Sequence, residues 1–262
     1  MRNLTIYGPW AIVTGASAGI GEVFARELAA AGLNLVLTAR RADRLEALAA
    51  DLRKSRGVDC RCIPMDLAKD GAPKALADSV SHLDVGMLVN NAGFGALGRF
   101  GTHDPGLLTD MIRLNCEAPV LLTHHLLPRL KARKRGAVLF LASVAGYQGS
   151  PYMACYSATK AFDLVFGEAL ASECEKSGLD VLVVSPGTTD TEFQQVAGAV
   201  PHRGDTAQSV VREALSALGR KHTVVTGFVH KLQTVSGRFF PRRFVTWGAG
   251  KVLLPMTPPE KR

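Results

Sequence analysis

The segment Thr14-Gly15-Ala16-Ser17-Ala18-Gly19-Ile20-Gly21 constrains this chain more than any other. It follows a short apolar run at 11–14 and precedes a stripe in which Ile20, Phe24 and Leu28 recur every four residues until Gly32. The spacing predicts a buried strand, a glycine turn and a helix, in that order. Glycines in such a turn permit a tight bend, close backbone approach to a pyrophosphate and close packing of helix on strand. The helix N-terminus then offers unpaired N–H groups and a partial positive charge to a phosphate. Glycine-rich turns are common, so the weight comes from this strand–turn–helix setting rather than from the glycines alone.

The rest of the chain repeats the same alternation. Further segments at 33–38, 59–65, 87–90, 137–142, 181–185 and 223–226 read as strands, and helical stretches fill the gaps. The stretch 41–53, for example, places Leu45, Leu48, Ala49 and Leu52 on one face. Strands alternating with helices predict an α/β fold, a doubly wound parallel seven-stranded sheet with helices on both faces. At 262 residues the chain is long enough for one such domain. Residues 1–227 read as a dinucleotide-binding and catalytic domain, and 228–262 as a basic amphipathic extension of it.

The net charge of +8 is unevenly placed. Residues 220–262 hold nine Lys or Arg and one acid, Glu260, which leaves 22 of each sign in residues 1–219. A body without net charge argues against a dedicated nucleic-acid binder, so no nucleic-acid partner is expected. Five irregularly spaced cysteines read as reduced thiols, and His124 and His125 have no third ligand spaced to join them, so no metal is expected. With no apolar run of secretory or membrane-spanning length, the expected location is cytoplasmic.

Two further features bear on chemistry. Where an acid after the second strand would select NAD, the chain has Arg40 and Arg41, with Arg44 one turn later. An arginine fork suits the 2′-phosphate of NADP. The alternative is a solvated basic helix start. Tyr156 and Lys160, at i and i+4, share one helix face. A tyrosine with an ordinary pKa near 10 is a poor acid–base group at neutral pH, and a nearby ammonium lowers that value. Ser143 ends the fifth predicted strand, where its hydroxyl is placed to hold a substrate oxygen.

The glycine spelling, Asn90-Asn91-Ala92-Gly93, and Tyr156-Ser157-Ala158-Thr159-Lys160 together resemble the short-chain dehydrogenase/reductase family, over residues 8 to about 226. The resemblance implies a Rossmann fold and hydride transfer between a nicotinamide and a carbonyl/alcohol pair. It implies four catalytic residues: Tyr156 as acid–base, Lys160 on the ribose and tuning Tyr156, Ser143 orienting the carbonyl, and Asn115 anchoring a water that links Lys160 to solvent. It implies NADP rather than NAD, with Arg40 the matching basic residue. A second basic residue, found inside the glycine loop of some NADP-preferring members, is replaced here by Ala18. The implied cofactor-binding set is Gly15, Ser17, Ala18, Gly19, Ile20, Gly21, Arg40, Arg41, Asp66, Leu67, Asn91, Ala92, Gly93, Tyr156, Lys160, Pro186, Gly187, Thr188 and Thr191. It also implies a homodimer or homotetramer built through the two helices that carry Asn115 and Tyr156.

The expected substrate wall is apolar. Phe193, Val196, Ala197 and Val200 lie in the segment 187–205, which in the family is a lid, and Phe94, Leu97 and Phe100 follow Asn90-Asn91-Ala92-Gly93. Tyr147 and Tyr152 flank the catalytic residues and are expected in the substrate site with Phe94 and Phe193. Such a wall fits an apolar ketone, aldehyde or 3-oxoacyl-type group. In the extension, Phe228, Leu232, Val235 and Phe239 recur at helical spacing, with Lys231 and Arg238 off that stripe. The stripe either packs on protein or lies on an anionic membrane surface. The rival to an enzyme is a nucleotide-sensing regulatory or membrane-adaptor protein on the same fold, without turnover.

Overall fold

A computed structural model describes residues 3–262, apart from the side chain of Arg238. Seven parallel strands form one sheet: β1 (Trp10–Thr14), β2 (Asn34–Ala39), β3 (Cys60–Pro64), β4 (Val85–Asn90), β5 (Gly136–Leu141), β6 (Leu179–Ser185) and β7 (Thr223–Val225). Their spatial order is β3-β2-β1-β4-β5-β6-β7. Every pair is parallel because each connection crosses over through a helix. This is the Rossmann arrangement expected from the sequence.

The helices are α1 (Gly19–Ala30), α2 (Ala42–Arg56), α3 (Ala72–Ser79), α4 (Pro105–Ile112), α5 (Ala118–Ala132), α6 (Ala154–Cys174), α7 (Phe193–Val196), α8 (Ala207–Ala217), α9 (Phe228–Ser236) and α10 (Arg242–Leu253). Strand alternation divides the core between the two sheet faces. Ala11, Val13, Leu35 and Leu37 pack with Phe24 and Leu28 of α1, Leu45 of α2 and Val211 of α8. Trp10, Ile12 and Val36 pack on the other side with Leu76 of α3, Leu122 and Leu126 of α5, and Leu170 of α6. With both faces covered, the central strands are buried throughout and read as continuous apolar runs.

The strand order reverses between β1 and β4, so the loops after these two strands diverge and leave a crevice at their carboxyl ends. The crevice is pinned from both sides. Thr14 Oγ1 accepts from the backbone N–H groups of Asn91 and Ala92, each at 2.9 Å, and Asn91 Nδ2 donates to Thr14 O at 2.8 Å.

Candidate active site

The crevice opens into a cavity of about 510 Å³. Its floor is the glycine loop. Gly15 has φ +67°, and a Cβ there would lie 2.8 Å from Asn91 Nδ2 and 2.9 Å from Ala92 Cα. Gly21 does not line the cavity; it lies beneath the loop, where a Cβ would come within 2.3 Å of Gly15 O and 2.4 Å of Asn91 Nδ2. Ala18 caps α1 without a side-chain hydrogen bond, so the first N–H groups of the helix carry no side-chain acceptor at the cavity floor. Gly21→Ala is expected to cost about 1–3 kcal/mol of stability and to weaken dinucleotide binding at least tenfold, because the nearest atom displaced is the Gly15 backbone carbonyl of the loop itself; thermal melting and NADPH titration by fluorescence check it.

Gly15, Ser17, Ala18, Gly19, Ile20, Arg40, Arg41, Asp66, Leu67, Asn91, Ala92, Gly93, Tyr156, Lys160, Pro186, Gly187, Thr188 and Thr191 all line this one cavity. Arg41 donates to Ser17 Oγ at 3.1–3.2 Å and pairs with Glu192 at 2.8 Å. Arg44 pairs with the same carboxylate at 2.5 Å. These two hydrogen-bonded guanidinium groups hold Glu192 below the usual carboxylate range. Arg40 is exposed, lines the cavity and takes part in no ion pair among the described residues. The uncapped helix start, the loop that tolerates no Cβ at Gly21 and this uncommitted guanidinium fit a dinucleotide bearing a 2′-phosphate.

At the other end, Ser143, Tyr156 and Lys160 converge. Ser143 lies just beyond β5, and its Oγ accepts from Ala145 N at 3.2 Å. Tyr156 is in the first turn of α6, and its ring centroid is 5.3 Å from that of Phe193. Burial pushes the Tyr156 phenol above its ordinary value, while the Lys160 charge and a hydrogen bond with Ser143 pull it down. The net direction is upward in the protein alone, opposite to the lowering expected from Lys160 by itself.

Lys160 is buried. Its Nζ donates to Leu141 O at 2.6 Å and to Asp163 Oδ2 at 2.8 Å. Asp163 is also buried, and it keeps Lys160 protonated against the cost of burial. Sequence reasoning missed Asp163. The signal was an acid three residues after the lysine, on the same helix face.

Besides Gly21, three of the expected site residues lie outside the cavity lining. Asn115 does not line the cavity. It lies in a π-helical turn, Arg113–Glu117, not in regular α-helix. There its side chain accepts from Phe94 N at 3.1 Å and donates to Phe94 O at 2.9 Å and Thr159 Oγ1 at 3.0 Å. Its amide thus ties the loop after β4, through Phe94, to α6, through Thr159. Tyr147 does not line the cavity either, because it packs on Ala142, Leu164 and Val183. Tyr152 is absent from the lining too: it takes a left-handed backbone conformation, φ 67°, and its carbonyl accepts from Gly98 N. Of the remaining wall, Phe94, Leu97, Phe193, Val196 and Ala197 face the cavity, whereas Phe100 and Val200 are exposed outside it.

The largest omission is the extension. Ala249, Val252, Leu253 and Met256 line the cavity opposite the glycine loop, and Leu253 and Met256 pack with Leu97, Met153 and Phe193. The lid is tied in on both sides: Leu97 N donates to Ala197 O, and Val200 N to Met256 O, each at 2.9 Å. His230, at the start of α9, lies so close to Gly187 that a Cβ there would be 2.0 Å from its Nε2. The cavity is therefore polar where a dinucleotide's phosphates would lie and apolar at the far end.

The five cysteines are free. Burial pushes Cys60 up to about 11, and Cys62 and Cys116 up to about 12, so these three stay thiols at neutral pH.

Comparison with known proteins agrees with this geometry. Residues 9–200 match the family model for the short chain dehydrogenases. A 7beta-hydroxysteroid dehydrogenase of Clostridium sardiniense is 32% identical over 86% of this chain and 88% of its own length. A very-long-chain 3-oxoacyl-CoA reductase of Podospora anserina is 34% identical over 96% of this chain and 71% of its own. Among solved structures, a 7beta-hydroxysteroid dehydrogenase superposes with a TM-score of 0.88 at 28% identity, covering 95% of this chain and 99% of that one. A short-chain dehydrogenase from Sphingobium yanoikuyae in complex with NADPH superposes with a TM-score of 0.80 at 31% identity, covering 88% and 94%.

Proposed function

This chain belongs to the short-chain dehydrogenase family and is an NADP-dependent oxidoreductase of carbonyl/alcohol pairs; within that activity we propose that it reduces a bulky apolar ketone, aldehyde or 3-oxoacyl-type group, with Tyr156 as the acid. The observation that carries the proposal is the convergence of Tyr156, Lys160 and Ser143 on a cavity whose far wall is Phe94, Leu97, Met153, Phe193 and Leu253. The 7beta-hydroxysteroid dehydrogenase and 3-oxoacyl-CoA reductase relatives carry bulky apolar groups in their substrates' names, which supports the same class.

The bound reduced nicotinamide supplies the hydride. The Ser143 hydroxyl orients the carbonyl oxygen, and Tyr156 Oη gives it a proton as charge develops there. Lys160 holds its positive charge near Tyr156 and favours the phenolate left behind. Asn115 acts at one remove, by fixing the backbone of Phe94 and so the wall of the pocket. The glycine loop and the start of α1 hold the pyrophosphate, Asp66 and Leu67 flank the adenine, and Arg40 takes the 2′-phosphate. A sensor without turnover has no use for this acid–base set.

We assign residues 1–227 to the dinucleotide-binding and catalytic domain and 228–262 to an extension that completes the pocket. A homodimer or homotetramer through α5 and α6 accords with the exposed Phe162 and Val165 on α6. The proposed location is the cytoplasm, with the extension as the part that meets a membrane. Loss of NADPH absorbance against a panel of apolar ketones, with NADH in parallel, tests the reading: turnover with NADPH well above NADH is expected. Arg40→Ala should raise KM for NADPH about tenfold to a hundredfold and leave KM for NADH nearly unchanged. Equal losses with both cofactors would remove Arg40 from the 2′-phosphate site.

A further inference from the structure

The periodic stripe of the extension is not covered by the protein itself. Phe228, Val229, Leu232, Val235, Phe239, Phe240, Phe244, Trp247 and Val252 are all exposed, between 53% and 81%. They are nine of the seventeen exposed large hydrophobic residues among the described residues, gathered into twenty-five positions. Monomeric soluble proteins rarely leave so concentrated an apolar surface open to water.

The charge around this surface says what covers it. From residue 228 to 259 the sequence has five Lys or Arg and no Asp or Glu. Lys231 is paired with Glu213 at 2.6 Å, but Arg242, Arg243 and Lys251 are exposed and form no ion pair among the described residues. The cations also sit beside the aromatic rings. The Arg243 guanidinium is 5.8 Å from the Phe244 ring and the Lys251 ammonium 5.7 Å from the Trp247 ring. Apolar rings flanked by cations suit a boundary between hydrocarbon and anionic headgroups. A second copy of the chain suits it less. A two-fold interface sets a patch against itself, and this patch would bring cation against cation with no acid to offset them.

The second face of α10 links this surface to the active site. Phe244, Trp247 and Lys251 lie at i, i+3 and i+7 on its outer side, whereas Ala249 and Leu253, with Met256 in the turn that follows, roof the cavity. Val252 of α10 and Val196 of the lid both line the cavity and are exposed, 54% and 60%, so they form its rim. The rim is apolar and continuous with the exposed face. No helix among the described residues is long and apolar enough to cross a membrane, so any contact is peripheral.

We propose that α9 and α10 seat the protein on an anionic phospholipid surface, and that its apolar carbonyl substrate enters the cavity from the lipid across the Val196–Val252 rim. The entry step rests on the reading of the cavity as an apolar-carbonyl site; the seating does not.

The test uses the full chain with vesicles of phosphatidylcholine alone and of phosphatidylcholine with phosphatidylserine. Pelleting with the second and not the first is expected, together with a blue shift of Trp247 emission, read in a Trp10→Phe background. Arg242→Glu with Arg243→Glu should weaken vesicle binding by about fivefold per residue or more, and Phe244→Ser with Trp247→Ser by about tenfold or more. Both pairs should leave turnover of a small water-soluble ketone unchanged, which also shows that they fold. Both should raise KM for a long-chain ketone carried in the anionic vesicles. Failure to pellet with anionic vesicles overturns the seating, and dissociation of an oligomer by Phe244→Ser with Trp247→Ser, without vesicle binding, assigns the face to a second copy. An unchanged KM for the vesicle-borne ketone overturns lipid entry. Vesicle binding without turnover of any ketone overturns the apolar-carbonyl reading, and lipid entry with it, while the seating stands.

Discussion

Tyr156→Phe is expected to lower kcat for carbonyl reduction by about 10²–10⁴-fold, the range for loss of a general acid, with NADPH affinity and melting temperature near the parent's. The substitution keeps the ring, its packing on Phe193 and its burial, and removes only the hydroxyl. Cofactor affinity survives because the glycine loop, Arg40 and the segment Pro186–Gly187 lie elsewhere on the cavity wall. The pH profile gives an independent reading of the same group. Burial holds the Tyr156 phenol above its ordinary value, so the acid needed for reduction stays protonated through neutrality. Reduction should therefore be flat across neutral pH and fall only in alkaline solution. Oxidation of the matching alcohol needs the phenolate and should rise with pH. Retention of more than a tenth of the parent kcat in Tyr156→Phe would take the acid role away from this residue.

How far the sequence foretold these features depends on the range over which each is determined. The central strands were legible because burial on both faces turns them into apolar runs such as Leu35-Val36-Leu37, a local property. The glycine loop was legible because its chemistry is set by neighbours in sequence. Tyr147 and Tyr152 stand outside the cavity lining because closeness along the chain does not fix direction. The short 3₁₀ turn Val144–Tyr147 leaves Tyr147 against β6 and α6, while a left-handed backbone takes Tyr152 out of the lining. Asn115 read as one more helical residue because a π turn leaves no mark in apolar periodicity. The extension's periodicity predicted a face but not its covering. The pocket-facing side of α10 was also present in the sequence, as Ala249 and Leu253 at i and i+4, but only the fold shows that Leu253, with Met256 in the turn just beyond, reaches Leu97 and Phe193.

Asp163 shows the same limit and supports the second large effect. An acid one turn from a lysine on a helix ordinarily reads as a solvated pair of little consequence. Here α6 packs on β5 and against the π turn before α5, which removes both groups from water. Asp163→Ala would leave the Lys160 ammonium buried without its counter-ion. Breaking such a pair costs about 3–5 kcal/mol, which for a chain of this size lowers the melting temperature by about 10 °C. Asp163→Asn keeps an oxygen able to accept from Lys160 Nζ and removes only the charge, so its melting temperature should fall less. Activity then separates positioning from mere support. The Asp163 carboxylate raises both Lys160 and Tyr156. The Lys160 charge pulls the phenol down more strongly than Asp163 raises it, so in Asp163→Asn the ammonium should lose its proton at lower pH, and alcohol oxidation, which needs the phenolate, should require a higher pH. Lys160 also loses the contact that holds its Nζ toward Asp163, so kcat should change more than KM for the ketone. A purely structural Asp163 would lower the melting temperature and leave the pH profile of the surviving folded enzyme where it was.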